Sequence, residues 1–233
     1  MKASLLAILF VTLLMGQAQN TLAQSTQSEA GIALDSPWKQ AVYQFAIENL
    51  RHSAWGLEHY ERNYLVATEL AQQDALTIDE EVLFAAAFLH DMGTFAPYAV
   101  AGAEHSQTAV DNLESVLADA GFTSAKIAAV NNAVLAHMYY AEVPDDATAI
   151  VLHDADTLDF LGVIGVTRIL SLTSRHPWAS DLQTALATLE NFSIELPRSL
   201  RTDAAQKIGR TRVAQMRELL SILKEQSVDG AAL

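Results

Sequence analysis

Cysteine is absent from the 233-residue chain, which excludes disulfides, thiolate metal ligands and thiol catalysis from the start. Basic residues are scarce. Fourteen Lys and Arg stand against 28 Asp and Glu, for a formal net charge of −14. A chain of that sign without a basic stripe is a poor binder of nucleic-acid backbones, and no such partner is expected. The 5 prolines and 10 glycines are scattered, with no repeat or low-complexity tract among them. The one long apolar run, Ser4 to Met15, is shorter than the ~20 residues of a membrane span. No segment alternates with period two for long enough to make a convincing strand.

What is present suits one globular domain with a sizeable core, since 51% of the residues are hydrophobic. Lys2 ahead of the Ser4–Met15 run, with Gly16, Ala18 and Ala23 after it, has the layout of a secretory signal peptide over residues 1–23. Cleavage is expected after Ala18 or Ala23. No cysteine follows to carry a lipid, so the mature chain is expected to be exported, periplasmic or secreted, without a membrane span. Residues 24–34 read as a flexible lead-in, 35–227 as a single helical domain, and 228–233 as a tail.

Helical patterning fills that domain, which gives an all-α fold. Ser36-Pro37 is an N-cap followed by Pro at the first helical position, opening a helix to about Arg51. Further helices are expected over Leu57–Gln73, Ile78–His90 and Glu104–Ala120, the last stopped by Gly121. Others follow over Ser124–His137, Ala147–Phe160, Val163–Ser174, Asp181–Asn191 and Thr202–Gln226.

The third of these is apolar on every side, EVLFAAAFL, and ends in His90-Asp91. An imidazole and a carboxylate closing a buried helix carry a large desolvation cost unless something binds both. A divalent cation is the natural binder. His59, His105, His137 and Asp156 supply further ligand types on separate helical segments, placing a candidate metal site in the core of the bundle. In AIVLHDADTLDFLGVIGV, His153, Asp154, Asp156 and Asp159 interrupt a core-like stretch, and His153, Asp156 and Asp159 share one helix face. Whether His153, Asp154 and Asp159 join the site is open. His52 and His176 read as surface residues. The helix dipole disfavours a proton on His105, which opens a helix, and favours one on His137, which closes one. Arg198, Arg201, Lys207 and Arg210, within the basic C-terminal stretch, read either as an anion entrance or as a solvated helix face.

The patterns HYER at 59–62, LHDMG at 89–93, EHS at 104–106, LAH at 135–137 and DADTLDFLGVIG at 154–165 resemble the HD superfamily of all-α, metal-dependent hydrolases, most of them phosphohydrolases. The resemblance runs from about Trp38 to Lys224. It implies His59, His90, Asp91 and Asp156 as core ligands, and a second metal on His105 and His137 with Asp91 shared. One or two divalent ions are expected, with Mn, Fe, Co, Ni, Zn and Mg not distinguished. The implied substrate is a small phosphate ester (monoester, diester or nucleotide), with Asp91 and Arg62 as catalytic candidates and Arg62 steadying the phosphate or pairing with an acid. Many phosphodiesterase members have Lys soon after the doublet, where this chain has Thr94. The sequence around HDMGT is also similar to the cyanamide hydratase branch, which adds water to a nitrile. That branch usually lacks the late DAD signature, so hydration of a non-phosphate substrate is the second expectation.

Overall fold

The computed structural model describes residues 26–227. The expected leader over 1–23 and the tail over 228–233 lie outside the described residues. Within them the order is α1 (Pro37–Asn49), α2 (Leu57–Gln73), α3 (Glu80–Leu89), α4 (His105–Asp119), α5 (Ser124–Ala136), α6 (Ala147–Asp159), α7 (Gly162–Ser171), α8 (Leu182–Ser199) and α9 (Asp203–Gln226). Single 3-10 turns occur at Met92–Thr94 and Pro177–Ala179. The only extended pairing among the described residues is one bridge between Gln27 and Ala33. The fold is all-α. No helix among these residues is long and apolar enough to cross a membrane.

α3 is the axis of the arrangement. Asp79 caps it by accepting from the Val82 amide at 3.2 Å, and Glu80 and Glu81 in its first turn complement the helix dipole. Every residue from Val82 to Leu89 is buried, and α1, α2, α4, α5 and α6 pack around it. Burial of Leu83, Phe84, Phe88 and Leu89 contributes ~1.5–3 kcal/mol for each side chain. α7, α8 and α9 pack on one another and on α6.

Two expectations are corrected. From Thr26 onward the supposed lead-in is a folded turn. The Ser28 amide donates to the Ile32 carbonyl at 2.9 Å, and the Ala30 amide donates to Glu61 Oε1 of α2 at 3.1 Å. The polar composition of 24–34 hid Ile32 and Leu34, which are buried and anchor the turn to the core. The second correction is the length of α8, which runs to Ser199 instead of ending near Asn191. Phe192, Ser193 and Leu196 on that extension are buried. Pro197, inside the helix, has no N–H to offer the Ser193 carbonyl, and Arg217 Nη2 of α9 donates to that oxygen at 3.0 Å instead.

Gly93 brings the end of α3 against the start of α4. A Cβ at this position would lie 2.0 Å from the His105 carbonyl oxygen, 2.3 Å from Thr108 Oγ1 and 2.8 Å from the Ala109 nitrogen. Two of those atoms are backbone, so the clash has no flexible side chain to relieve it. The approach sets His105 beside Asp91. Gly93→Ala is therefore expected to cost about 1–3 kcal/mol of stability, as overpacking does, measured by urea denaturation. An unchanged midpoint would show that the two elements separate freely.

Candidate metal centre

All six candidate ligands converge, although they arise from five places along the fold. His59 is on α2, His90-Asp91 follows α3, His105 opens α4, His137 follows α5, and Asp156 is on α6. The Nε2 atoms of His59 and His90 are 3.1 Å apart, and those of His105 and His137 are 3.2 Å apart. Asp91 stands between these pairs. Its Oδ2 lies 3.5 Å from His59 and 3.3 Å from His90, while its Oδ1 lies 3.5 Å from His105 and 3.8 Å from His137. Asp156 Oδ1 closes the first pair, 3.2 Å from His59 and 3.9 Å from His90.

Which ring nitrogen is free follows from what the other one faces. Nδ1 of His59 meets Asp159 Oδ2 at 2.7 Å, and that of His90 meets the Ala87 carbonyl at 3.0 Å. Nδ1 of His137 meets the Val134 carbonyl at 2.6 Å, and that of His105 meets Glu104 Oε1 at 3.0 Å. Each Nδ1 faces an acceptor, which turns four Nε2 atoms inward, two against two, with carboxylate oxygens beside them. Ring nitrogens and carboxylates at such spacing in a buried place need positive charge among them. His59, His90 and Asp156 form one group able to hold a cation, and His90, Asp91 and His137 form another. The donors fit a first-row divalent ion and do not choose among such ions.

The electrostatics carry the same demand for positive charge, met at His59 by a proton. Burial and the Arg168 charge oppose an imidazolium at His59, but hydrogen bonds to Asp156, Asp159 and Asp91 outweigh them and raise it to about 9. Burial works against the Asp156 carboxylate, yet His59 brings it down to about 2. Asp91 is held well below the usual carboxylate range, its burial overcome by His90 and His59. His137 departs from the dipole expectation. Burial, reinforced by the charge on His90, takes it down to about 3. Desolvation beats the dipole there, and Nε2 is a bare ligand atom at neutral pH.

Other residues of the motifs have different work. Arg62 pairs with an acid, the second of its two expected roles. Its Nε and Nη2 both donate to Asp159, at 2.7 and 2.8 Å. Asp159 is the acid that orients His59, and Arg168 Nη1 lies 3.0 Å from it on the other side. Asp154 accepts from the amides of Arg201 and Thr202 and from the Thr202 hydroxyl, at 2.7–2.9 Å, tying α6 to the start of α9. His153 lies between the carbonyls of Ala136 and Ser199. Neither faces the metal set. Three contributors were missed in the sequence. Asn63, one turn after His59, donates to Asp156 Oδ1 at 3.3 Å. Arg168 is the lone charge of the apolar α7, and Glu104 directly precedes His105. The first two positions are visible as helical spacing and as a charge out of place.

A pocket of about 150 Å³ opens onto Asp91, His105 and Asp156. Its walls are Trp55, Met138, Tyr140, Phe160, His176 and Trp178, with Thr94 at the edge. His176, read as a surface residue, therefore faces the site. No Lys or Arg lines this pocket. Arg198 is paired with Glu195, and Arg201, Lys207 and Arg210 are exposed away from it, so no anion entrance forms there.

The HD domain family profile matches residues 56–161, a stretch that contains all six candidate ligands. No curated protein matches the chain in sequence. Among solved structures, a Lactobacillus plantarum protein aligns with a TM-score of 0.61 at 20% identity, over 82% of this chain and 97% of that one. Bacillus subtilis YpgQ, solved in complex with ADP, aligns with a TM-score of 0.62 at 19% identity, over 81% and 97%. A predicted HD superfamily hydrolase from an uncultured Thermotogales bacterium gives 0.54 at 20%, over 79% and 88%. At these identities the likeness is one of fold.

Metal titration of the purified protein is expected to give two ions per chain. Asp91→Ala should lower binding at both positions. Asp159→Asn, which removes the acid behind His59, should weaken the position that includes His59 by about 10–100-fold. A stoichiometry of one, unchanged in a His105→Ala, His137→Ala double variant, would remove the second position. An unaltered affinity in Asp159→Asn would deny that acid its orienting role.

Proposed function

The chain carries an HD domain over residues 56–161, and from that premise we propose that it is a metal-dependent hydrolase of a small phosphate ester. The carrying observation is Asp91, set between two histidine pairs at the floor of a pocket. His59, His90, Asp91 and Asp156 would hold one cation, and His105 and His137 with Asp91 a second. A divalent ion in such a set supplies Lewis acidity and brings the pKa of water toward ~7. The chain's own residues do the rest. Asp159, fixed by Arg62 and Arg168, keeps His59 Nδ1 protonated and its Nε2 directed inward. Glu104 Oε1 lies 3.0 Å from His105 Nδ1 and also accepts from the Tyr140 hydroxyl at 3.1 Å. The Thr94 hydroxyl donates to the Asp91 carbonyl at 2.8 Å, so it braces the doublet and does not take over the role of a phosphate-binding Lys. The ADP complex of YpgQ supports phosphorylated small molecules as the substrate class.

A second reading is hydration or hydrolysis of an uncharged small molecule on the same centre. The lack of any Lys or Arg in the pocket wall favours it. A panel of phosphate monoesters, diesters and nucleotides, run beside cyanamide with metal-loaded protein, decides between the two. Turnover of a phosphate ester that is lost on chelation and restored by metal is the expected result. Hydration of cyanamide with no phosphate ester cleaved would transfer the assignment to the second reading.

We also propose that the protein acts outside the cytoplasm, in the periplasm or secreted. Support comes from Lys2, the Ser4–Met15 run and the small residues after it. Sequencing the N-terminus of protein from the native host should give a start near Gln19 or Gln24. Recovery of intact Met1 would overturn export.

A further inference from the structure

The pocket above the metal centre is small for its kind. Ligand pockets commonly measure ~300–1,000 Å³, and this one is about 150 Å³. A cavity of ~150 Å³ accommodates a benzene-sized group. Beyond the centre itself its wall is built of rings and one methionine, with no cationic side chain.

Those rings form a pre-built corner. Trp55 and His176 meet edge to face at 5.4 Å between centroids, and His176 and Trp178 do so at 5.0 Å. Each ring is held from behind. His52 stacks on Trp55 at 4.0 Å between centroids, and the Trp55 amide donates to His52 Nδ1. Phe192 of α8 supports Trp178 at 5.6 Å, and the Thr188 hydroxyl donates to the Trp178 carbonyl at 2.7 Å. The Trp178 amide in turn donates to His176 Nδ1 at 3.2 Å. Trp55, His176 and Trp178 all border the pocket, so a further flat group placed there meets aromatic atoms on that side. A polyphosphate chain would find no cationic side chain to pair with on these walls.

We propose that the part of the substrate not attacked is one small uncharged ring, seated among Trp55, His176 and Trp178, which makes these residues the determinants of specificity. This rests on the hydrolase reading for the attacked group alone; the seat for the ring stands on the pocket. The substrate class is then a compact aryl or heterocyclic ester, and bulk polyphosphates are excluded.

Two of the three tryptophans line the pocket, so their fluorescence reports occupancy in metal-loaded protein. Phenol alone should quench it. Phenyl phosphate should bind about tenfold or more tightly than methyl phosphate, as expected for burying one ring. In Trp178→Ala that ratio should fall below about threefold, while Trp178→Phe, which keeps a ring and guards against loss of folding, should retain most of it. Equal affinities for phenyl and methyl phosphate, no response to phenol, or tighter binding of adenosine triphosphate than of phenyl phosphate would overturn the proposal. Quenching by phenol with no binding of either phosphate ester would leave the ring seat standing and reject the phosphate reading instead.

Discussion

Three carboxylates buried in one hydrophobic bundle require positive charge from every element around them. Asp91, Asp156 and Asp159 are 7%, 2% and 3% exposed, and an uncompensated charge at such depth costs several kcal/mol. α2 answers with His59 and Arg62, the end of α3 with His90, and α7 with Arg168. The strongly apolar α3 brings the doublet to this depth, and the close approach at Gly93 adds the second histidine pair. The packing and the centre are one arrangement, because the helices that surround α3 are those that carry the ligands.

Much of this was legible in the sequence. The run EVLFAAAFL announces a helix with no solvent side, and His90-Asp91 at its end announces a buried pair in need of a partner. Each of the six candidate ligands stands out from its own local pattern, and the structure brings all six together. What the sequence did not show was pairing across distance. Arg62 and Asp159 are 97 residues apart, and nothing local distinguishes an arginine that faces a substrate from one that braces an acid. The DAD segment illustrates the same limit. Asp154, Asp156 and Asp159 look alike in sequence, yet one ties α6 to α9, one faces the cation position and one orients His59. His176 was missed because loop residues carry no periodicity from which to read a facing direction.

Ligands and pocket walls come from different kinds of backbone. The centre is held by helices and helix ends fixed through the core. The pocket wall comes mainly from connections, with Trp55 before α2, Met138 and Tyr140 after α5, and His176 and Trp178 between α7 and α8. The connections therefore set the shape offered to a substrate, while the helices set the centre.

His59 is gripped at both ring nitrogens by a single helix, with Asp156 on one side and Asp159 one turn further on the other. Any cation that joins Nε2 of this ring to Asp156 therefore cross-links α2 to α6 as it binds. Mass action then sets the durability of the bundle, with each tenfold rise in free ion above the dissociation constant adding about 1.4 kcal/mol. Metal supply and resistance to unfolding would then be one variable, with the bundle more robust in an ion-rich medium than in a depleted one.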